Sequence, residues 1–281
     1  MLERPVVAAA RRVLDRYGAA GGGLLAGGLA YAALFAIVPG VLLLVGVTGI
    51  VVADAGERAR IVDVIVGVLP PLRDLIQAVL DEAAREAGPV SILGAILLLW
   101  GTSRFAVAFD GAIARVMGGT HSRGLLKQNL GALAAVALMI GAILLSTVLS
   151  GFLAFLEAGV AAGAFPILGL GLAIGLGLLP VLATIGATIL VYRIVPTPSP
   201  PWRSIILPGI TVGLALTVVA RLFAFLAPRL IGAAALLGTL ATAFAALAWL
   251  ALSFQALLLG AAWVRERADR ATPPGAKPIQ T

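Results

Sequence analysis

The sequence predicts an all-α, polytopic membrane protein with six transmembrane helices and both termini in the cytoplasm. Three observations lead there: a composition too apolar for water, six apolar runs of crossing length, and basic residues gathered on alternate connecting segments. Hydrophobic residues make up 61% of the 281 and charged residues 12%, with a mean hydropathy of +1.09. A water-soluble globule of this length carries more polar surface than that. A helix crosses a hydrocarbon core of about 30 Å with about 20 apolar residues. The runs Gly21–Ala53, Pro89–Ala108, Leu125–Leu156, Pro166–Val191, Ile205–Leu226 and Ala233–Val264 all reach that length.

Charge orients the runs. One set of connecting segments holds Arg4, Arg11, Arg12 and Arg16; then Arg104, Arg115, Arg123 and Lys127; then Arg193 and Arg203; and finally Arg265, Arg267, Arg270 and Lys277. These are fourteen of the 20 basic residues, against six on the other set. Basic residues stay on the cytoplasmic side, so both termini are predicted inside. Six crossings demand the same parity.

Residues 1–20 form the first predicted element. Val6, Val7, Ala10, Val13 and Leu14 alternate at helical spacing with Arg11, Arg12, Asp15 and Arg16, which predicts a basic amphipathic helix lying on the cytoplasmic headgroups. The transmembrane domain follows at 21–264. Between its first two spans an outer loop, 54–88, places Ile61, Ile65, Val68, Leu69, Leu72, Ile76, Val79 and Leu80 at helical spacing around Pro70-Pro71, which predicts two short amphipathic helices with an acidic polar side. Residues 265–281 turn polar and contain Pro273-Pro274-Gly275, predicting a disordered cytoplasmic tail. Glycines crowd the first and fourth spans, where small residues let helices approach closely in lipid. Pro39 and Pro180 fall in the first span of each three-span half, where a freed carbonyl kinks a helix or opens a midplane site.

Catalytic chemistry finds little support. There is no cysteine, which removes disulfides, thiolate metal sites and cysteine nucleophiles. The single His121 stands beside Arg123 with no acidic or histidine partner at ligand spacing. Asp110 lies between Arg104 and Arg115, whose pairing explains it, and Glu157 stands alone at the predicted outer end of the third span. No phosphate-binding loop, HExxH or GxSxG occurs. The net charge of +7 is explained by cytoplasmic loops facing anionic headgroups. Without a basic stripe carrying interleaved aromatics, nucleic acid is not an expected partner. The expectation is a protein without enzymatic activity, metal or cofactor.

Serine and threonine inside the spans can bond the preceding turn's carbonyls, so Arg221 and Gln255 are the informative polar residues. A charge or amide facing lipid is costly. Arg221, near the outer end of its span, either snorkels to the headgroups or binds substrate, and Gln255 is expected to face the bundle interior and hydrogen-bond there.

Three stretches then carry a resemblance. Leu29-Ala30-Tyr31-Ala32-Ala33-Leu34-Phe35-Ala36-Ile37-Val38-Pro39 resembles the first-span motif of the YihY / virulence factor BrkB family. Tyr192-Arg193-Ile194-Val195-Pro196, with Trp202-Arg203 and Leu207-Pro208-Gly209, resembles that family's fourth loop and fifth span. Leu247-Ala248-Trp249-Leu250 and Leu257-Leu258-Leu259-Gly260-Ala261 resemble its last span. The chain departs from the family at Ala114, at Ile231-Gly232 and at Ala262, where polar residues are usual. The resemblance implies an inner-membrane protein linked to envelope integrity and, in some members, to transport of lipids or lipopolysaccharide precursors. The family's older label of ribonuclease BN gains nothing from these residues, since an RNA hydrolase needs a metal cluster or an acid–base pair.

The combined expectation is a protein that moves or handles a lipid-like substrate, with membrane lipids as partners and a lipid or glycolipid as cargo. Arg221, Tyr31, Pro39, Arg193, Arg203 and Gln255 are the expected substrate or gating contacts. A non-transporting scaffold for envelope complexes is the alternative, distinguished by a bundle without a lateral cleft, and a membrane-embedded enzyme is third.

Overall fold

The computed structural model describes residues 5–51, 56, 90–119, 166–196, 199–233 and 239–271, with backbone alone at 5–6, 38–51, 90–99, 102, 166–177, 179–180, 227–228, 230–233 and 239–242. Every regular element among them is α-helical. In chain order they are α1 (Pro5–Ala19), α2 (Gly22–Val51), α3 (Val90–Met117), α4 (Pro166–Ile194), α5 (Trp202–Ala233) and α6 (Thr239–Ala271). Five of the expected apolar runs fall on α2 to α6. The run Leu125–Leu156, the outer loop 54–88 apart from residue 56, His121, Glu157 and the tail beyond Ala271 lie outside the described residues.

α1 opens on Pro5, whose missing N–H costs nothing in a first turn. It closes at Gly21, which takes a positive φ of 71°, a region that glycine enters freely. There the Gly21 N–H donates to Gly18 O at 2.9 Å and the Ala20 N–H to Arg16 O at 3.1 Å, satisfying carbonyls that the ending helix leaves open. The chain turns by 60° at this break, so α1 lies across the end of the bundle. α3 stops in the same manner at Gly118, φ 69°, where the Gly119 N–H reaches back to Ala114 O at 2.9 Å. α2 and α4 run as unbroken helices through Pro39 and Pro180, so neither proline splits its helix into two.

α2 packs on α3 and α6, α4 on α5, and α5 on α6, with α1 laid against the end of α6. Gly209 and Gly213, one turn apart on α5, bring that helix onto Ile189 and Ile185 of α4. A Cβ at position 213 would sit 2.7 Å from the Ile185 Cα. Two glycines at this spacing allow the backbone approach that stands in for hydrophobic driving force between helices in lipid. Leu29, Ile113, Val116, Ile205, Leu258 and Val264 are among the largest fully buried side chains, and all belong to the half of the bundle toward which α1 folds. Within the helices, Thr188 donates to Thr184 O at 2.8 Å and Ser253 to Trp249 O at 2.8 Å, the local bonding expected of hydroxyls in apolar spans.

The outward faces are apolar. Val218 is 63% exposed and Phe244 66%, which water would penalise and hydrocarbon does not. Among the described residues Trp202–Leu226 and Ala243–Ala271 are long and apolar enough to cross a membrane, with mean hydropathies of 2.0 and 1.9, and the bent pair Val7–Ala19 with Gly22–Ile37 makes a third if it counts as one span.

One sequence expectation is corrected. Residues 265–271 are not part of a disordered tail, because α6 continues to Ala271. Ion pairs at i,i+4, Arg265 to Asp269 at 2.9 Å and Glu266 to Arg270 at 3.0 Å, support the extra turns, and α1 lies against them.

Candidate functional site

The end of α1, the start of α2, the end of α3, the α4–α5 turn and the end of α6 meet at one end of the bundle. Arg12 and Arg16, one turn apart on α1, face Glu266 and Asp269 on α6. Arg12 Nε lies 2.6 Å from Glu266 Oε1, and Arg16 Nη2 2.8 Å from Asp269 Oδ2. Arg270 adds two bonds to the same Glu266 oxygen, from Nε at 3.1 Å and Nη2 at 3.0 Å. Glu266 is buried and sits past Val264, beyond the apolar run. Burial works against its ionisation, yet the hydrogen bonds and charges of Arg12 and Arg270 outweigh burial and hold the carboxyl below its ordinary value. Tyr17, whose ring packs over Gly22, has its phenol pushed up by burial.

The α4–α5 turn is fixed by three long side chains. Arg193 Nη1 donates to Pro200 O at 2.7 Å, and its guanidinium stacks 5.2 Å from the Trp202 ring centroid. The buried Tyr192 hydroxyl donates to Leu257 O at 2.8 Å, a fit that the missing side chain of Gly260 permits. Arg267 Nη2 donates to Arg203 O at 3.2 Å.

Two hollows that share Arg115 as a lining residue open around the end of α3. The first, of about 830 Å³, is roofed by the last turn of α1 and lined by Arg16, Gly21, Arg115 and Arg265 with Asp15. The second, of about 660 Å³, is an apolar groove between α2 and α3 lined by Leu24, Gly28, Val107, Ala108 and Gly111, with Arg115 at its mouth. Arg16 and Arg265 both bind Asp269, at 2.8 and 2.9 Å. Arg115 is exposed and has no ion-pair partner among the described residues.

The expected contact residues do not converge. Arg193 and Arg203 lie at this end, the first holding the turn and the second exposed in the first turn of α5. Tyr31 is 61% exposed on α2, its ring 4.7 Å from that of Phe35. Pro39 is carried within α2, and its side chain is outside those described. Gln255 is half-buried on α6, without a hydrogen-bond partner among the described residues. Arg221 is exposed on α5, eighteen residues or about 27 Å of helix beyond Arg203, on the same outward stripe as Leu214, Val218 and Phe225. Sequence reasoning passed over Glu266, Asp269 and a free role for Arg115. The signal for the first two was carboxylates at i,i+3 in a stretch otherwise rich in arginine.

The virulence factor BrkB family model matches residues 13–280. The chain belongs to the virulence factor BrkB family. No curated protein and no solved structure matches it. The family match takes in Arg16, Arg115, Arg193, Glu266 and Asp269, so the Arg16–Asp269 pair and both hollows fall inside the matched region, while Arg12 lies one residue before it. Among the described residues no group of three or more His, Cys, Asp or Glu could hold a metal ion.

Proposed function

We propose that the chain is a six-span inner-membrane protein with both termini in the cytoplasm, and that it handles or transports a lipid-like amphiphile in support of envelope integrity, without enzymatic chemistry of its own. The observation that carries this reading is that Arg115 lines both a hollow of about 830 Å³ ringed by charged side chains and a groove of about 660 Å³ between α2 and α3. Charged side chains ring the hollow and, Arg115 apart, only apolar residues line the groove, an order that fits a molecule with a headgroup and a tail. The groove lies between α2 and α3, and a cleft between helices counts against the scaffold alternative.

The orientation has its own support. The segments that carry most of the basic residues belong to elements that meet at one end of the bundle, as a shared cytoplasmic side requires. α3 ends at this end, whereas α4 reaches it only at Ile194 and so starts about 42 Å away. A crossing over Leu125–Leu156 satisfies that parity.

The test is reconstitution into vesicles carrying a headgroup-labelled phospholipid, with an impermeant quencher added outside. Faster loss of the inner-leaflet signal than in protein-free vesicles is expected. Equal rates, in vesicles where the protein is folded, would leave the scaffold reading.

A further inference from the structure

We propose that Arg115 binds the phosphate of an anionic phospholipid from the leaflet facing the basic end, with one acyl chain lying in the groove between α2 and α3. The inference rests on the membrane reading above and adds a lipid class, a residue and a place of binding.

Arg16 and Arg265 each pair with an oxygen of Asp269, so each guanidinium already has a carboxylate at hand. Arg115 is exposed and lacks an ion-pair partner among the described residues. It is also the residue shared by the polar hollow and the apolar groove. A guanidinium at that boundary meets phosphate through a planar fork, which makes arginine the suited cation.

The groove supplies the second half. From Arg115 it follows α3 back to Val107, eight residues or about 12 Å of helix, toward the middle of the bilayer. Leu24, 87% exposed, and Val107 flank it. Gly28 leaves it open, since a Cβ at that position would meet nothing within 4 Å. On the membrane reading, an apolar groove between two spans is filled by acyl chain, because neither water nor polar groups are stable at hydrocarbon depth. A zwitterionic lipid would fill the groove as well but offers Arg115 less net negative charge, so the pairing selects an anionic headgroup.

The experiment is native mass spectrometry of the full-length protein released from vesicles of equimolar phosphatidylglycerol and phosphatidylcholine, with size-exclusion profiles confirming fold. Wild-type protein is expected to retain phosphatidylglycerol preferentially. Arg115→Gln should cut that retention about tenfold, the equivalent of one charge-assisted hydrogen bond, and Arg115→Lys should restore part of it. Gly28→Leu, which fills open space, should reduce retention of both lipids. That loss separates a bound lipid from free phosphate, which has no use for the groove, and added inorganic phosphate should leave lipid retention unchanged. Wild-type retention of phosphatidylglycerol in Arg115→Gln or in Gly28→Leu would overturn the proposal, as would equal retention of the two lipids by the wild type. Selective retention without movement of labelled lipid between leaflets would sink transport and leave this site standing.

Discussion

Arg12 Nε on α1 lies 2.6 Å from Oε1 of Glu266 on α6, joining residues 254 positions apart in the sequence. This bond, with Arg16 to Asp269 four residues further along α1, ties α1 to the end of α6. It also fixes the roof of the charged hollow, because Arg16 lines that hollow.

Glu266→Ala should loosen α1. The carboxylate is buried but Arg12 is half-exposed, so the pair is worth less than a fully buried one, about 1–2 kcal/mol. Amide hydrogen exchange over residues 5–19 is expected to quicken about tenfold, with the exchange of α4 unchanged. Because the Glu266 carboxyl is held below its unfolded value of 4.5, its contribution is complete above that pH and is lost as the pH falls through the lowered value. Acid should therefore release α1 in the wild type only below the ordinary carboxylate range, and the alanine variant should show no such step.

Gly213→Leu should separate α4 from α5. Even a Cβ would stand 2.7 Å from backbone of Ile185, and relief by rotamer change is impossible against main chain. Overpacking of about 1–3 kcal/mol is expected for the first carbon alone, read as a lower unfolding midpoint in detergent. Gly28→Leu, in open space, should leave the midpoint unmoved.

Tyr192→Phe keeps the ring in the core and removes the bond to Leu257 O, an expected loss of about 1 kcal/mol. Tyr192→Ala removes a fully buried side chain and should cost about 3–5 kcal/mol. Similar midpoints for the two variants would show that the ring contributes no more than its hydroxyl.

Single cysteines test the orientation cleanly, since the chain has none of its own. Those placed at Ala9, Ser122, Ser199 and Ala276 should resist an impermeant thiol reagent in intact cells, while those at Ala84 and Ala161 should react. External labelling at Ser199 or Ala276 would reverse the assignment.

Arg221 shares an outward stripe with Leu214, Val218 and Phe225. A side chain in that position reaches the headgroups along its own stem, so Arg221→Lys is expected to keep full activity in a lipid-translocation assay. If Lys at normal abundance lost most of the activity, a planar fork on substrate would be the better account.

Particular residues show how much was legible. Five of the apolar runs each fall on one of α2 to α6, with ends that differ from the observed ones by up to nine residues, because a span's apolar length is set by the bilayer while the helix runs on past it. α1 was legible from the alternation of Val6, Val7, Ala10 and Leu14 with arginines. The end of α6 was not, since Arg265–Ala271 reads as a polar tail until α1 supplies partners for Glu266 and Asp269. Among the expected contact residues, Arg193 looked like a ligand for substrate and instead holds Pro200 and Trp202 in place. A lone arginine beside a turn gives no sign of which it will do.

The sequence by itself determined that this is an apolar helical protein of the BrkB kind, and which of its connecting segments are basic. These are local properties: hydropathy over a window and charge per segment. The tertiary structure alone decided that Glu266 answers Arg12, that Asp269 draws in Arg16 and Arg265, and that Arg115 is left at the mouth of a groove. Those outcomes depend on which helix faces cross. In lipid, that choice is made by small-residue packing and a few polar pairs between distant parts of the chain, for which no single segment carries the information.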